Sequence, residues 1–426
     1  MSKLLLREGC VLTLGARTAN HARADVLIED GKIAEIGAGV RARDAEIIDA
    51  TDTIVMPGFV DCHRQMAHTL FRGTGHLGDP PAAGHFEDDD IHAATLLGLL
   101  SAAEAGATTV VDWCEAADEA RLDAVLRAHA EAAIRSVVVV ARPPGTDVGV
   151  WKRLLASDTP ENVTLAAGSE EPGSVPDHEV QEQWAMARDA GLRIHARAGL
   201  SEAGRGAIRR LADAGAMGRD VTLVHCTRLS DADFDAIASS GASVVLAPSD
   251  EMATGAGMPP VQDLMDRQIK PGLGVGKETL APGDIFAQMR GVISIQHARY
   301  FDLKLAGKAG LPNLLNTRET IKFGTSYGAA AVGLGDVTGS LEVGKQADLV
   351  VLRTDRPNIW PINDPIGAVV WGMDTSNLDW VIVAGRPVVR DGRLVGDTSE
   401  VRRLAEEARQ RVATRAGLLE VAGGPA

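Results

Sequence analysis

His63, Arg64 and Gln65 close the segment VMPGFVDCHRQ, residues 55–65, which has the outline of a strand ending in His-x-His. Two imidazoles at that spacing can share a divalent metal. Gln65 offers only a neutral, weakly basic amide oxygen, whereas zinc-type sites are built from imidazole, thiolate and carboxylate. Further polar residues stand at or just after apolar runs: Trp113, Cys114 and Glu115; His195 and Arg197; His225 and Cys226; Asp250 and Glu251; Lys277 and Glu278. His63 and His225, with an ordinary pKa near neutrality, are candidates for general acid and base work. Arg197 and Lys277 can stabilise an oxyanion or bind a carboxylate, and Glu278 or Glu115 can carry further protons. Lys277 becomes a Schiff-base amine if desolvated. Asp250 and Glu251 suit a substrate amine, and Gln65, Trp113 and His195 complete the expected substrate-binding set.

Such residues need a scaffold that gathers them. Eight runs, IVMPGFVD, ATTVVDW, SVVVVAR, VTLAAG, LRIHARA, VTLVHC, ASVVLAP and PGLGVG, alternate with Ala/Leu-rich stretches of helical period. That is the pattern of βα units on a parallel sheet. Helices are expected over Asp118–Ala132 and over Ser230–Ser240, the second opening on a Ser N-cap with acids in its first turn. Eight repeats predict an α/β fold, a closed (β/α)8 TIM barrel, whose chemistry sits at the C-terminal ends of its strands. Residues 1–53 and 341–426 read differently, as strand-turn-strand units with Asp30-Gly31, Gly385 and Asp391-Gly392 as turns. The expected organisation is a barrel over 54–340 and a small β-sandwich built by both termini, with a C-terminal helix.

The whole chain resembles the amidohydrolase superfamily, in its cytosine-deaminase and chlorohydrolase-like branch. The resemblance is carried by VMPGFVDCHR, GATTVVDW, LVHCTRLSDADF, SVVLAPSDEM, the IFAQMR helix and GSLEVGKQADLVVL, in order and over nearly all 426 residues. It implies one or two divalent metals held by His-x-His after strand one, a His after strand five, a His after strand six and an Asp after strand eight. Carried over, these positions are His63 and Gln65, Arg197 (or His195 after a two-residue shift), His225, and Gly276. The branch often has a His at Glu115.

Losing a His and an Asp while gaining Arg197 and Lys277 makes the pocket more positive, and a guanidinium cannot deprotonate to coordinate a cation. A dication beside it is disfavoured in a low-dielectric pocket. The expectation is therefore a metal-independent enzyme without a cofactor, acting at or near a C–N bond of a small nitrogen-containing metabolite. Hydrolysis, deamination, elimination, isomerisation and cyclisation stay open. Two alternatives stand beside it: a catalytically silent homologue that binds a ligand or partner, and a conventional mono-metal hydrolase or deaminase with a rearranged site. Plainer roles also exist for single residues. His63 and His225 can be leftovers held by hydrogen bonds, Arg197 can pair with Glu115 or Glu278 as a buried clamp, and Lys277 can point to solvent.

Lys and Arg number 43 against 58 Asp and Glu, for a net charge of -15. That balance disfavours nucleic acid and anionic membrane surfaces as partners. The start MSKLLLREG is too short for a signal-peptide core and no apolar run reaches a membrane span, so a cytoplasmic protein is expected. The resemblance suggests a homodimer. Cys10, Cys62, Cys114 and Cys226 lack CxxC spacing and are expected to pack, Cys62 and Cys226 pointing out of the barrel where His63 and His225 point in. The stretch 71–94, with His76, His85 and His92, is expected to be a substrate lid, its Glu87–Asp90 run resembling a helix N-terminus. No Walker A loop, dinucleotide-binding glycine fingerprint or G-x-S-x-G elbow is present.

Overall fold

The computed structural model describes residues 3–74, 82–143, 147–169, 171–279 and 281–418. Both chain ends build one sheet. Strands β1 (Lys3–Val11), β2 (His21–Glu29), β3 (Lys32–Gly37), β4 (Glu46–Asp49) and β5 (Thr53–Pro57) come from the N-terminal side. The barrel follows with β6 (Phe59–Arg64), β7 (Ala107–Glu115), β8 (Arg135–Ala141), β9 (Val163–Ser169), β10 (Ile194–Ala198), β11 (Val221–His225), β12 (Ser243–Leu246) and β13 (Gly272–Leu273). Strands β14 (Leu349–Arg353), β15 (Leu378–Val383), β16 (Arg386–Arg390) and β17 (Arg393–Leu394) then return to the first sheet.

In the terminal sheet the order is β17-β16-β15-β14-β5-β1-β2-β3, with β4 beside β1. It is one mostly antiparallel sheet, where a sandwich was expected. Its tight turns were legible because they need positive φ: Asp30 and Gly31 have φ of 51° and 78°, the values a two-residue hairpin demands. The run IVMPGFVD is two strands and not one. Residues through Pro57 pair with β14, and Gly58 redirects the chain into β6. Only glycine serves there, because a Cβ would lie 2.1 Å from the Thr108 side chain. The expected boundary at 53/54 thus falls inside β5.

The eight predicted barrel runs all contribute strands, in the order β13-β12-β11-β10-β9-β8-β7-β6, each parallel to its neighbour. A bridge between Arg64 and Gly276 brings the first and last strands nearly to closure. Val60, Cys62, Val111, Val137, Val139, Val224 and Val245 pack together inside, against Ala329 and Ala331 of helix Ser326–Ala331. Burying each such aliphatic side chain contributes about 1.5–3 kcal/mol. Thr222 donates to the Ala331 carbonyl at 2.8 Å, so this helix stops the N-terminal end of the barrel.

Helix Glu119–Ala132 is capped by Asp118, and helix Asp231–Ser240 by a Ser230/Asp233 capping box. Helix Asp88–Glu104 opens with a Glu87/Asp90 capping box, which shortens the connection expected as a lid. His92 lies inside this helix and meets Glu131 at 3.0 Å, and His85 sits in the turn before it. His76 and the middle of that connection lie outside the described residues. The C-terminal helix Ser399–Arg415 docks on helix Asp88–Glu104, with Arg411 at 2.7 Å from the buried Asp90 and Arg415 paired to the same carboxylate. No helix among the described residues is long and apolar enough to cross a membrane.

Candidate active site

The pairing of β6 with β7 slips between Asp61 and Arg64, and this irregularity decides where the first cluster points. Cys62 packs among the interior valines, in the same group as Trp113, while the ring of His63 meets that of Trp113 at 5.9 Å. The strict alternation that sent Cys62 outward therefore fails here. It holds at β11, where Cys226 packs in the helix-facing core. Burial pushes the thiols of Cys62, Cys114 and Cys226 above their ordinary pKa, so none is a ready nucleophile.

His63 and His225 come together edge to face, ring centres 5.2 Å apart and both buried. Glu251 accepts from or shares a proton with His225 Nδ1 at 3.1 Å, and its Oε1 also takes the Ala247 N–H at 2.8 Å. A carboxylate on Nδ1 fixes the ring and leaves Nε2 for chemistry. Glu251, expected to bind a substrate amine, is fully buried in helix Pro248–Ala253 and orients this imidazole. His225 and Cys226 both have positive φ, 77° and 61°. Such backbone costs on the order of 1–3 kcal/mol per residue and clusters at functional sites.

Burial holds His63 well below its ordinary pKa, and the positive fields of His225, Arg197, His195 and Lys277 push the same way. His63 is therefore neutral at pH 7. His195 is buried on β10, its pKa lowered to about 3 by burial and by Arg193. Arg197, two residues on, lies 4.8 Å over the Trp113 ring and 3.5 Å from Glu115, at a half-exposed rim. This is a stacked, solvent-touched cation, not the buried clamp. Glu115 itself is exposed.

A cavity of about 420 Å³ opens here, lined by Trp113, Glu115, Arg142, Ser169, Glu171 and Arg197. A smaller one of about 150 Å³ shares Trp113 and Glu115 and reaches Gln65, His68 and Asp112. The larger is of a size that suits a small-molecule ligand. Lys277 is half-buried and close enough to act on His63.

Arg64 is the residue that sequence reasoning missed. Its guanidinium is 1% exposed and lies 2.7 Å from Glu278 and 3.1 Å from Asp61, while donating to the Gly283 carbonyl at 3.2 Å. Glu278 also accepts from Thr69 at 2.9 Å and lines a separate flanking cavity with Arg72 and Asp284. The structure thus engages Glu278 in a clamp and does not place it among the imidazoles. A second missed network ties Asp112 to His129 at 3.1 Å and to the Met66 N–H at 3.1 Å, holding the turn after β6. An acid inside the apolar run ATTVVDW was its only sequence signal.

Among the described residues no three His, Cys, Asp or Glu side chains converge to hold an ion. Gly276 offers no side chain, Gln65 no strong donor, and Arg197 stands where a fifth-strand ligand is implied.

The family model shows kinship, and solved structures share the fold. The profile of the amidohydrolase family matches residues 54–388. The chain is similar to a 5'-deoxyadenosine deaminase of Methanothermobacter thermautotrophicus, 28% identical over 91% of this chain and 94% of that protein. It is also similar to a 5-methylthioadenosine/S-adenosylhomocysteine deaminase of Halobacterium salinarum, 28% identical over 92% and 95%. In fold it matches an adenosine deaminase of Xanthomonas campestris with bound zinc (TM-score 0.83, 21% identity, 97% and 99% covered). An atrazine chlorohydrolase of Arthrobacter aurescens complexed with zinc gives a TM-score of 0.84 at 20% identity, with 95% and 100% covered. The chain belongs to the amidohydrolase family and is an enzyme of that superfamily, which acts on C–N bonds other than peptide bonds.

Proposed function

We propose that this enzyme breaks a carbon–nitrogen bond in a small nitrogen-containing metabolite by imidazole acid-base chemistry, with deamination of an amino-substituted heterocycle as the reaction. The names of the relatives support the reaction and the substrate class. The observation that carries the mechanism is the His225–Glu251 pair beside a neutral, buried His63. His225 Nε2 takes a proton from water as its oxygen adds to the ring carbon, and the proton passes to the departing amine, so that water and substrate give the oxo product and ammonia. The Glu251 carboxylate stabilises the imidazolium formed between these steps. Arg197, stacked on Trp113, and Lys277 bind the electron-rich part of the substrate and the charge that develops on it.

A second reading is a conventional mono-metal hydrolase or deaminase with rearranged ligands, and the comparisons support it better than they support metal independence. Solved relatives are described with zinc. His63 and His195 each have a buried Nε2 without a hydrogen-bond partner, as a neutral imidazole has when it serves as a ligand. Elemental analysis of protein purified without chelator, combined with ammonia release from 5'-deoxyadenosine, adenosine and cytosine, separates the two. We expect ammonia release that survives dialysis against chelator. One equivalent of zinc whose removal abolishes release establishes the second reading, and no release from any aminopurine or aminopyrimidine sinks the deaminase assignment.

A further inference from the structure

Just past the last barrel strand, Gly276 carries no side chain of its own, yet its space is filled. Gly276 donates its N–H to the His63 carbonyl at 2.8 Å and accepts from the Gln65 N–H at 3.1 Å, so it is stitched to the end of the first strand. Its φ is +74°, which glycine tolerates best. A Cβ built there would lie 2.6 Å from Asp250 Oδ2, 2.7 Å from Asp250 Cβ and 2.8 Å from Asp250 Cγ. The whole side chain of Asp250 lies flat on the bare face of Gly276, and Asp250 is 5% exposed. Any side chain at 276 and the present position of Asp250 are mutually exclusive.

Asp250 belongs to the short helix Pro248–Ala253 directly after β12, next to Glu251. One turn thus delivers two carboxylates, Glu251 to the His225 ring and Asp250 to the bare face of Gly276. Arg197 and Lys277 are both felt at the neighbouring His63. A carboxylate is suited to the N–H groups of an amino heterocycle.

We propose that Asp250 is the substrate-binding carboxylate of this site, delivered from the seventh strand into the space that a residue on the eighth would take, and that it accepts the N–H edge of the substrate. The recognition part rests on the function proposed above; the placement part does not. Two measurements therefore run together. In a thermal-stability cycle, the loss in melting temperature from Gly276→Ala is expected to be at least halved when Asp250 is also Ala, because the steric conflict disappears while the cost of positive φ stays. Equal losses in both backgrounds overturn the placement and the proposal with it. In the ligand arm, adenine, 5'-deoxyadenosine and cytosine are titrated into wild type and Asp250→Asn by calorimetry, with ammonia release followed in parallel. Weakening of binding or kcat/KM by about tenfold or more in a variant that melts like wild type supports the role, as expected for a hydrogen bond to a charged group. Unchanged binding and turnover in Asp250→Asn overturns it. If wild type ignores all three probes, the preceding functional reading fails, and the coupling between 250 and 276 alone upholds or overturns the relocation.

Discussion

The guanidinium of Arg64 lies 2.7 Å from the carboxylate of Glu278, and this pair joins the first barrel strand to the segment after the last. The last strand is only Gly272–Leu273 long, so few ladder hydrogen bonds close the ring at this seam. A buried cation with Asp61 and Glu278 on either side does the joining instead. Burial raises the Asp61 carboxyl above its ordinary pKa even with Arg64 pulling the other way, a sign of how dry the seam is.

Removing one partner should leave charge stranded. Glu278→Gln is expected to cost about 3 kcal/mol in chemical denaturation, whereas a joint Arg64→Met, Glu278→Met change should cost less than the sum of its single changes. Additive single effects would show that the clamp is not the closing device.

The His225–Glu251 pair makes a kinetic prediction. His225→Ala and Glu251→Gln should each lower kcat by about 10²-fold or more while leaving the melting temperature within a few degrees, the usual scale of acid-base catalysis. Wild-type turnover in Glu251→Gln would remove the orienting role.

Arg197 tests recognition at the rim. Arg197→Met keeps the apolar cover on Trp113 and deletes the charge, so KM should rise by about tenfold with kcat changing less. A pure kcat defect would place the guanidinium on the reacting group and not on the bound substrate.

His195 ties stability to pH. Its folded pKa of about 3 lies below its ordinary 6.5, so in the window between them the unfolded chain binds the extra proton. Stability should be complete above about pH 6.5 and fall as pH drops toward 3. In thermal melts across that window, His195→Asn should flatten the slope relative to wild type. Parallel slopes would mean that the imidazole is protonated in the folded state.

Much of this molecule is local enough to be seen in one dimension. The eight β-branched runs, the Ser230 cap and the Asp30-Gly31 hairpin each reflect an interaction within a few residues, and each appears at its expected place. His63 and His225 were legible for a different reason: strand ends of a barrel share one face, so residues far apart in sequence are bound to meet there.

The chain's periodicity and residue types by themselves determined the eight barrel runs, the strand-turn-strand units of both termini and the two imidazoles at strand ends; the loss of three metal-donor positions came from the family resemblance. Tertiary structure alone decided the partners. Arg64 takes Glu278 across more than two hundred residues, leaving Arg197 to stack on Trp113; Glu251 turns inward to His225; Asp250 fills the face that Gly276 leaves bare. The physical reason is that a buried charge goes to whichever opposite charge the packed backbone brings within hydrogen-bonding reach. A one-residue slip in strand pairing, such as that between Asp61 and Arg64, changes that choice without leaving any mark in the hydrophobic pattern.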